Sequence, residues 1–215
     1  MKVSVIICTY TMERFKDLHE AIQSVMNQTY EPDEIIIAVD HNKELFERLK
    51  SEFLSSIKVV LNTNTPGLSE TRNVGIRASQ GDIVAFIDDD AVAEKDWLEN
   101  LLKHYSDPSV VAVGGKSIPL WNNGYRPGWF PEELYWLIGN TYKGHPEVCT
   151  SVRNIAGCNM SFRREVLHEV GLFSTAIGAR GETFRGGEEA ELCVRMKHYL
   201  PNTAILYEPD AVIHH

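Results

Sequence analysis

Read from its N-terminus, the chain alternates short β-branched runs with amphipathic stretches. Val3-Ser4-Val5-Ile6-Ile7-Cys8 is almost continuously apolar, the pattern of a strand buried on both faces in a parallel sheet. Phe15, Leu18, Ile22, Val25 and Met26 then recur at helical spacing and predict a helix over Phe15–Asn27. Glu34–Val39 repeats the strand pattern and ends at Asp40; a charged helix over Lys43–Leu54 and a third strand over Ile57–Leu61 follow. Gly67 opens an Arg- and Asn-bearing helix, Leu68–Ala78, and the fourth strand, Ile83–Ile87, runs directly into Asp88-Asp89-Asp90. This alternation through residues 1–105 predicts a doubly wound, mostly parallel α/β sheet flanked by helices, whose ligands bind at the C-terminal strand ends. Thr9, Asp40 and the three aspartates all fall at those ends.

Residues 106–215 read differently. After a helix over Trp97–Tyr105 and a strand over Val110–Gly114, Trp121–Gly144 is rich in Trp, Tyr, Pro and Gly and predicts a mobile or irregular excursion. Gly157–Phe162 reads as a strand feeding the helix Arg164–Val170; Glu188–Tyr199 is a further helix, and Ala204–Tyr207 with Ala211–Ile213 are terminal strands. No internal repeat or low-complexity segment interrupts the pattern, and one domain accounts for the 215 residues. The chain stops straight after a strand-like segment, at Ile213-His214-His215, so truncation of a longer parent is expected.

Charge narrows the partners. The formal net charge is −9 and the 21 basic residues are scattered, which removes the electrostatic footprint of a nucleic-acid binder. An anionic nucleotide would then need a metal ion or a local Arg. Cys8, Cys149, Cys158 and Cys193 form no CxxC pair and no zinc-type spacing, so free thiols of a cytoplasmic protein are expected. No apolar run approaches the ~20 residues of a membrane span, which predicts a soluble chain.

Three consecutive aspartates at the end of an apolar strand repel one another unless a cation neutralises them. In an extended segment Asp88 and Asp90 project to one side and Asp89 to the other, which suits Mg2+ or Mn2+ with open positions for diphosphate oxygens. A solvated turn in which Asp90 caps the next helix is the alternative. Gly186-Gly187-Glu188-Glu189 begins a helix; its acids either complement the helix dipole or include a general base, and the paired glycines suggest a backbone approached closely. Arg72, one turn into its helix, either engages phosphate or makes a surface salt bridge. The terminal histidines are either incidental or metal ligands, with His215 preferred over His214. The aromatic residues Trp121, Tyr125, Trp129, Phe130, Tyr135, Trp136 and Tyr142 either pack a satellite core or stack on sugar rings and lipid.

Together these segments resemble the family 2 glycosyltransferases with the GT-A fold. Val5-Ile6-Ile7-Cys8-Thr9-Tyr10 is similar to the family's first strand, although Thr11-Met12-Glu13-Arg14 replaces the usual Asn-Arg. Asp40 stands at the base-binding acidic position, Gly67 through Arg72-Asn73-Gly75 at the donor-side helix, and Asp88-Asp89-Asp90 at the DxD motif. Gly157–Met160 resembles the acceptor-side strand, and Gly187-Glu188-Glu189 replaces Gly-Glu-Asp, with Glu where Asp is usual for the base.

The resemblance implies an inverting, metal-dependent transfer from a nucleotide sugar, a UDP-sugar above all, with Mn2+ or Mg2+ as cofactor. It implies Glu189 as catalytic base, and Glu188, Asn159 and Trp129 on the acceptor. Thr9, Tyr10, Arg14, Asp40, Gly67, Arg72, Asp88 and Asp89 would face the donor, and Asp90 and His215 the metal. Trp129–Trp136 and Glu188–Arg195 look like members that build lipid-linked glycans, including glucuronosyl- and glucosyltransferases. The implied acceptor is a glycan or a lipid-linked sugar. The implied place is the cytoplasm at the inner membrane face, reached through that lipid or through a missing C-terminal part. A sugar-phosphate nucleotidyltransferase would need a Gly-rich loop where Thr9–Arg14 has none, and a nicotinamide oxidoreductase would need GxGxxG. A non-catalytic nucleotide-sugar or glycan-binding module is the remaining alternative.

Overall fold

The computed structural model describes residues 1–53, 57–121, 124–179 and 186–215. Its first half alternates as the pattern requires: β1 (Val3–Thr9), α1 (Phe15–Met26), β2 (Glu34–Asp40), α2 (Lys43–Phe53), β3 (Lys58–Asn62), α3 (Leu68–Ala78) and β4 (Ile83–Asp88). Leu54, expected to close the second helix, lies outside the described residues. The second half contains β5 (Val92–Ala93), α4 (Trp97–Leu102), β6 (Val110–Ile118), a 3-10 helix (Glu132–Ile138) and β7 (Thr150–Ser151). It continues with β8 (Asn159–Arg163), α5 (Arg164–Val170), α6 (Glu188–Tyr199) and β9 (Ala204–His214).

The strands join in one sheet, ordered β3-β2-β1-β4-β8-β6-β9-β5, with β7 paired to β9. β3, β2, β1 and β4 are mutually parallel, and in register Ile7 lies between Ile37 and Ile87. β8 then runs antiparallel between β4 and β6. Side chains alternate across the sheet as a strand's period of two demands. Val5 and Ile7 of β1 meet Leu18, Ile22 and Leu49 on one face. Ile6 meets Ile76, Leu192 and Met196 on the other. Helices therefore cover both faces, and the polar chain is left to emerge at the strand ends.

The short strands β5 and β7 have no counterpart in the sequence pattern, several ends shift by one or two residues, and three larger differences have a visible cause. β6 extends to Ile118 because Gly114-Gly115, which look like a strand end, are places of close approach: a Cβ on Gly114 would strike Ile155, and one on Gly115 would strike Ala211 O and Asn159. The two expected terminal strands are one, β9, whose register against β6 shifts between Glu208 and Val212, so that Pro209-Asp210 sits in the irregularity. α4 ends at Leu102, and Tyr105 is reached by a tighter turn in which its N–H donates to Leu102 O. Among the described residues of Trp121–Gly144 the regular element is the 3-10 helix, and its residues are all exposed or half-buried.

Candidate active site

β4 delivers the acidic triplet to the sheet's C-terminal edge. Asp88 is its last residue, and Asp89 and Asp90 form the turn that follows. The expected division of the three side chains is observed. Asp89 is buried against Arg14, with Nη1 3.2 Å from Oδ1, and burial pushes its carboxyl up to about 6. Asp90 shares Arg14, with Oδ2 2.9 Å from Nη1, but its other oxygen turns with Asp88 toward His215, and one ligand atom from each of the three lies within 4.8 Å of the others. His215 Nε2 is 3.3 Å from Asp90 Oδ1 and 4.0 Å from Asp88 Oδ2. His214 points elsewhere, to Glu94 at 3.1 Å.

The imidazole is held in place because β9 ends there: His215 N–H donates to Ile118 O, and Leu120 N–H and the Asn140 amide donate to its carbonyl. The hydrogen bond to Asp90 raises the His215 pKa to about 11, so the carboxylates create a strong local demand for positive charge. Two carboxylates and an imidazole, half-buried with open sides, form a donor set that fits Mn2+ or Mg2+.

Arg72 lies beneath this edge and departs from its expected role. It is buried, with Nη1 2.6 Å from Glu188 Oε1, Nη2 3.7 Å from Asp88 Oδ1 and Nη2 donating to Gly157 O at 3.1 Å. A guanidinium so enclosed holds other site residues and is not free to clasp a phosphate. Glu188 is corrected with it. The side chain is buried and paired to Arg72, with Oε2 enclosed and unpartnered, so it does not face an acceptor.

Gly187, at φ +105°, starts α6, and a Cβ there would meet nothing within 4 Å; the glycine serves backbone conformation and not close approach. Its turn sets Glu189 on the outer side of the buried pair. Burial and the neighbouring Glu188 charge raise the Glu189 pKa, and Arg72 opposes them.

Two cavities flank these groups. The first, about 290 Å³, is lined by Thr9, Tyr10, Arg14, Asp40, Asp88 and Asp89, all expected on the donor side, and also by Thr71 and Ala179. Asp40 is partly committed: Oδ1 accepts from Asn62 and Oδ2 from the Gly67 N–H at 2.8 Å, which fixes the positive-φ entry of α3 (Gly67, φ +125°). Gly67 thus acts through Asp40, whereas Asp40 itself reaches the cavity. The second cavity, about 230 Å³, contains Glu189 with Trp136, Tyr142, His145, Asn154 and Tyr207.

Two expected acceptor contacts are absent from that second cavity. Asn159 is fully buried; Oδ1 accepts from Trp97 Nε1, and Nδ2 donates to Lys116 O and Ala211 O, so the side chain is spent on the sheet. Trp129 is 81% exposed and packs edge-on against Phe130, while Trp136 is the tryptophan beside Glu189. The aromatic excess of the segment pointed to this wall, but nothing local distinguished Trp136, and His145 and Asn154 carried no signal. All four cysteines are free thiols. Among the described residues, no helix is long and apolar enough to cross a membrane.

Comparison with known proteins fits this geometry. The model of glycosyl transferase family 2 matches residues 4–171. Over 218 aligned residues the chain is 43% identical to the glucosyl-dolichyl phosphate glucuronosyltransferase of Haloferax volcanii, covering all of this chain and 69% of that protein. Among solved structures, GalNAc-T7 with UDP, GalNAc and Mn2+ superposes with a TM-score of 0.73 at 18% identity, over the whole chain and 44% of that one. A mannosyltransferase of Pyrobaculum calidifontis in complex with GDP-Man and Mn2+ gives 0.70 at 21%, over the whole chain and 56% of its own. Both are GT-A glycosyltransferases, and the chain spans about half of each.

Proposed function

The chain belongs to glycosyl transferase family 2 and has the GT-A fold, and on that premise we propose that it transfers a sugar, with inversion, from a UDP-sugar to a hydroxyl of a glycan or lipid-linked acceptor. The observation that carries this reading is the layout around Arg72: Asp88 on its donor side and Glu188 on the other, with Glu189 next in the chain and lining the second cavity. Asp88, Asp90 and His215 would hold a divalent cation, whose bound charge would ease departure of the nucleoside diphosphate. Asp40, Thr9 and Tyr10 line the space for the nucleoside.

Glu189 accepts the proton of the acceptor hydroxyl, whose oxygen bonds to the anomeric carbon as the bond to the diphosphate breaks from the opposite face. The electron pair of the broken bond leaves with the diphosphate. A raised pKa makes the Glu189 carboxylate a stronger base than an exposed one. Arg72 pairs with Asp88 on one side and Glu188 on the other and holds both in place, so that Glu189, next to Glu188 on α6, is positioned with them. The name of the Haloferax relative makes a UDP-glucuronate donor and a glucosyl prenyl phosphate acceptor the first pair to try.

Calorimetry of UDP-glucuronate, UDP-glucose and GDP-mannose with and without Mn2+ tests the donor half. The expected result is UDP-sugar binding that needs Mn2+ and is lost in Asp90→Ala; binding indifferent to both refutes it.

A further inference from the structure

The acceptor cavity does not end at Glu189. Trp136, Tyr142, His145 and Asn154 also line a larger cavity of about 780 Å³, whose wall adds Lys143, Arg153 and Glu133. The two cavities therefore share an aromatic wall, with the Glu189 carboxylate on one side and two cations and a single carboxylate on the other.

The cations are notable in a chain of net charge −9. Among the other described arginines, Arg14, Arg72, Arg77, Arg126 and Arg195 are each held by a carboxylate, Arg163 and Arg164 by backbone carbonyls, and Arg48 by the ring of Phe15. Arg153 has no carboxylate within 4 Å among the described residues; its Nε donates to Asn154 Oδ1, and the rest of the guanidinium is exposed. Lys143 is 3.1 Å from Glu133, but both side chains are more than half exposed, and such a pair is worth only ~0–1 kcal/mol. A stronger anion can take the ammonium. On the shared wall stands His145, its ring 4.2 Å from that of Tyr207 and its buried Nδ1 without a hydrogen-bond partner. Burial lowers its pKa, so it offers a neutral polar edge to a ligand.

We propose that the Arg153–Lys143 side of the larger cavity binds the phosphate that links the acceptor sugar to its carrier, so that the enzyme selects phosphate-linked sugars; this rests on the transferase reading given above. The smaller cavity takes the sugar ring, with a hydroxyl at Glu189 and an apolar face on Trp136. The anomeric oxygen of that sugar then leads out past Tyr142 and His145 to the guanidinium and ammonium, which meet the phosphodiester charge in the bidentate and point-charge manner of Arg and Lys.

The test compares two acceptors that differ only in the phosphate: glucosyl citronellyl phosphate and citronellyl glucoside, with UDP-glucuronate as donor and Mn2+ present. The wild type is expected to prefer the phosphate acceptor in kcat/KM. Arg153→Ala and Lys143→Ala each reduce kcat/KM for it about tenfold, through KM, so that the preference shrinks, and Arg153→Lys recovers part. The KM for donor, set at the other cavity, stays within about twofold. A preference that survives both substitutions, or an equal loss with both acceptors, overturns the subsite while leaving the transferase reading intact. Donor binding with transfer to neither compound overturns the acceptor reading and the subsite with it.

Discussion

The cavity proposed for the donor and the one proposed for the acceptor are built by different means. Around the first, polar groups stand at the ends of parallel strands and the head of the next helix: Thr9 at the end of β1, Asp40 at the end of β2, Asp88 at the end of β4, Gly67 at the head of α3. Such groups are fixed by the buried sheet itself and partner one another, as Asp40 does Gly67 and Arg14 does Asp89. On the acceptor side the wall comes from an excursion with a single 3-10 helix, whose tryptophans and tyrosines are largely exposed. The two halves are joined by Arg72 from α3 and Glu188 from α6, 116 residues apart.

The sharpest way to break this comparison is at the proton acceptor. Glu189→Gln keeps shape and removes the base, and is expected to cut kcat by about 10³-fold while the donor dissociation constant changes less than about twofold. Kinetics paired with calorimetry measures both. Equal loss of binding would move Glu189 to the donor side.

The joint itself comes next. Arg72→Met leaves the Glu188 carboxylate buried without its cation and is expected to cost about 3 kcal/mol of stability in urea unfolding. Arg72→Met combined with Glu188→Gln should recover a good part of that loss. A single substitution that changes stability by less than about 1 kcal/mol would show that the halves are not held together there.

A smaller effect is expected in the pH profile. Glu189 must be ionised to act, and its pKa is raised by burial and by Glu188, so kcat/KM should climb with pH through a limb above the ordinary glutamate value of about 4.3. Glu188→Gln removes the neighbouring charge and should move that limb to lower pH. A limb that stays in place would assign the titration to another group.

The smallest contrast lies within the acceptor wall. Trp136→Ala should raise acceptor KM about tenfold, whereas Trp129→Ala, outside both acceptor cavities, should change it less than about twofold. The reverse order would return Trp129 to the site.

Legibility followed the same divide. Strands buried on both faces write continuous apolar runs, so β1, β2 and β4 and the polar residues at their ends could be read directly from the chain. Strand alternation predicts that Asp88 and Asp90 share a side; the two do converge, but through the turn at Asp89-Asp90 that follows β4 and not through an extended strand. Arg72 lies beside Asp88, but it is buried and paired to Glu188, and no local pattern records a partner 116 residues away. Asn159 was misread for the same reason: its amide serves Trp97, Lys116 and Ala211, contacts that exist only once β8, β6 and β9 lie side by side. Along the acceptor wall, aromatic composition marked the segment but could not choose Trp136 over Trp129, since no helical or strand period fixes which ring turns inward.

The central claim is that Glu189 takes the acceptor's proton on the face opposite the departing diphosphate. Proton NMR of the product formed in the first minutes from an α-linked UDP-glucuronate and glucosyl citronellyl phosphate reads this directly. The account predicts a newly formed β-linkage, with its large anomeric coupling. An α-linked product would contradict it, because a single displacement from the opposite face cannot retain the donor's configuration.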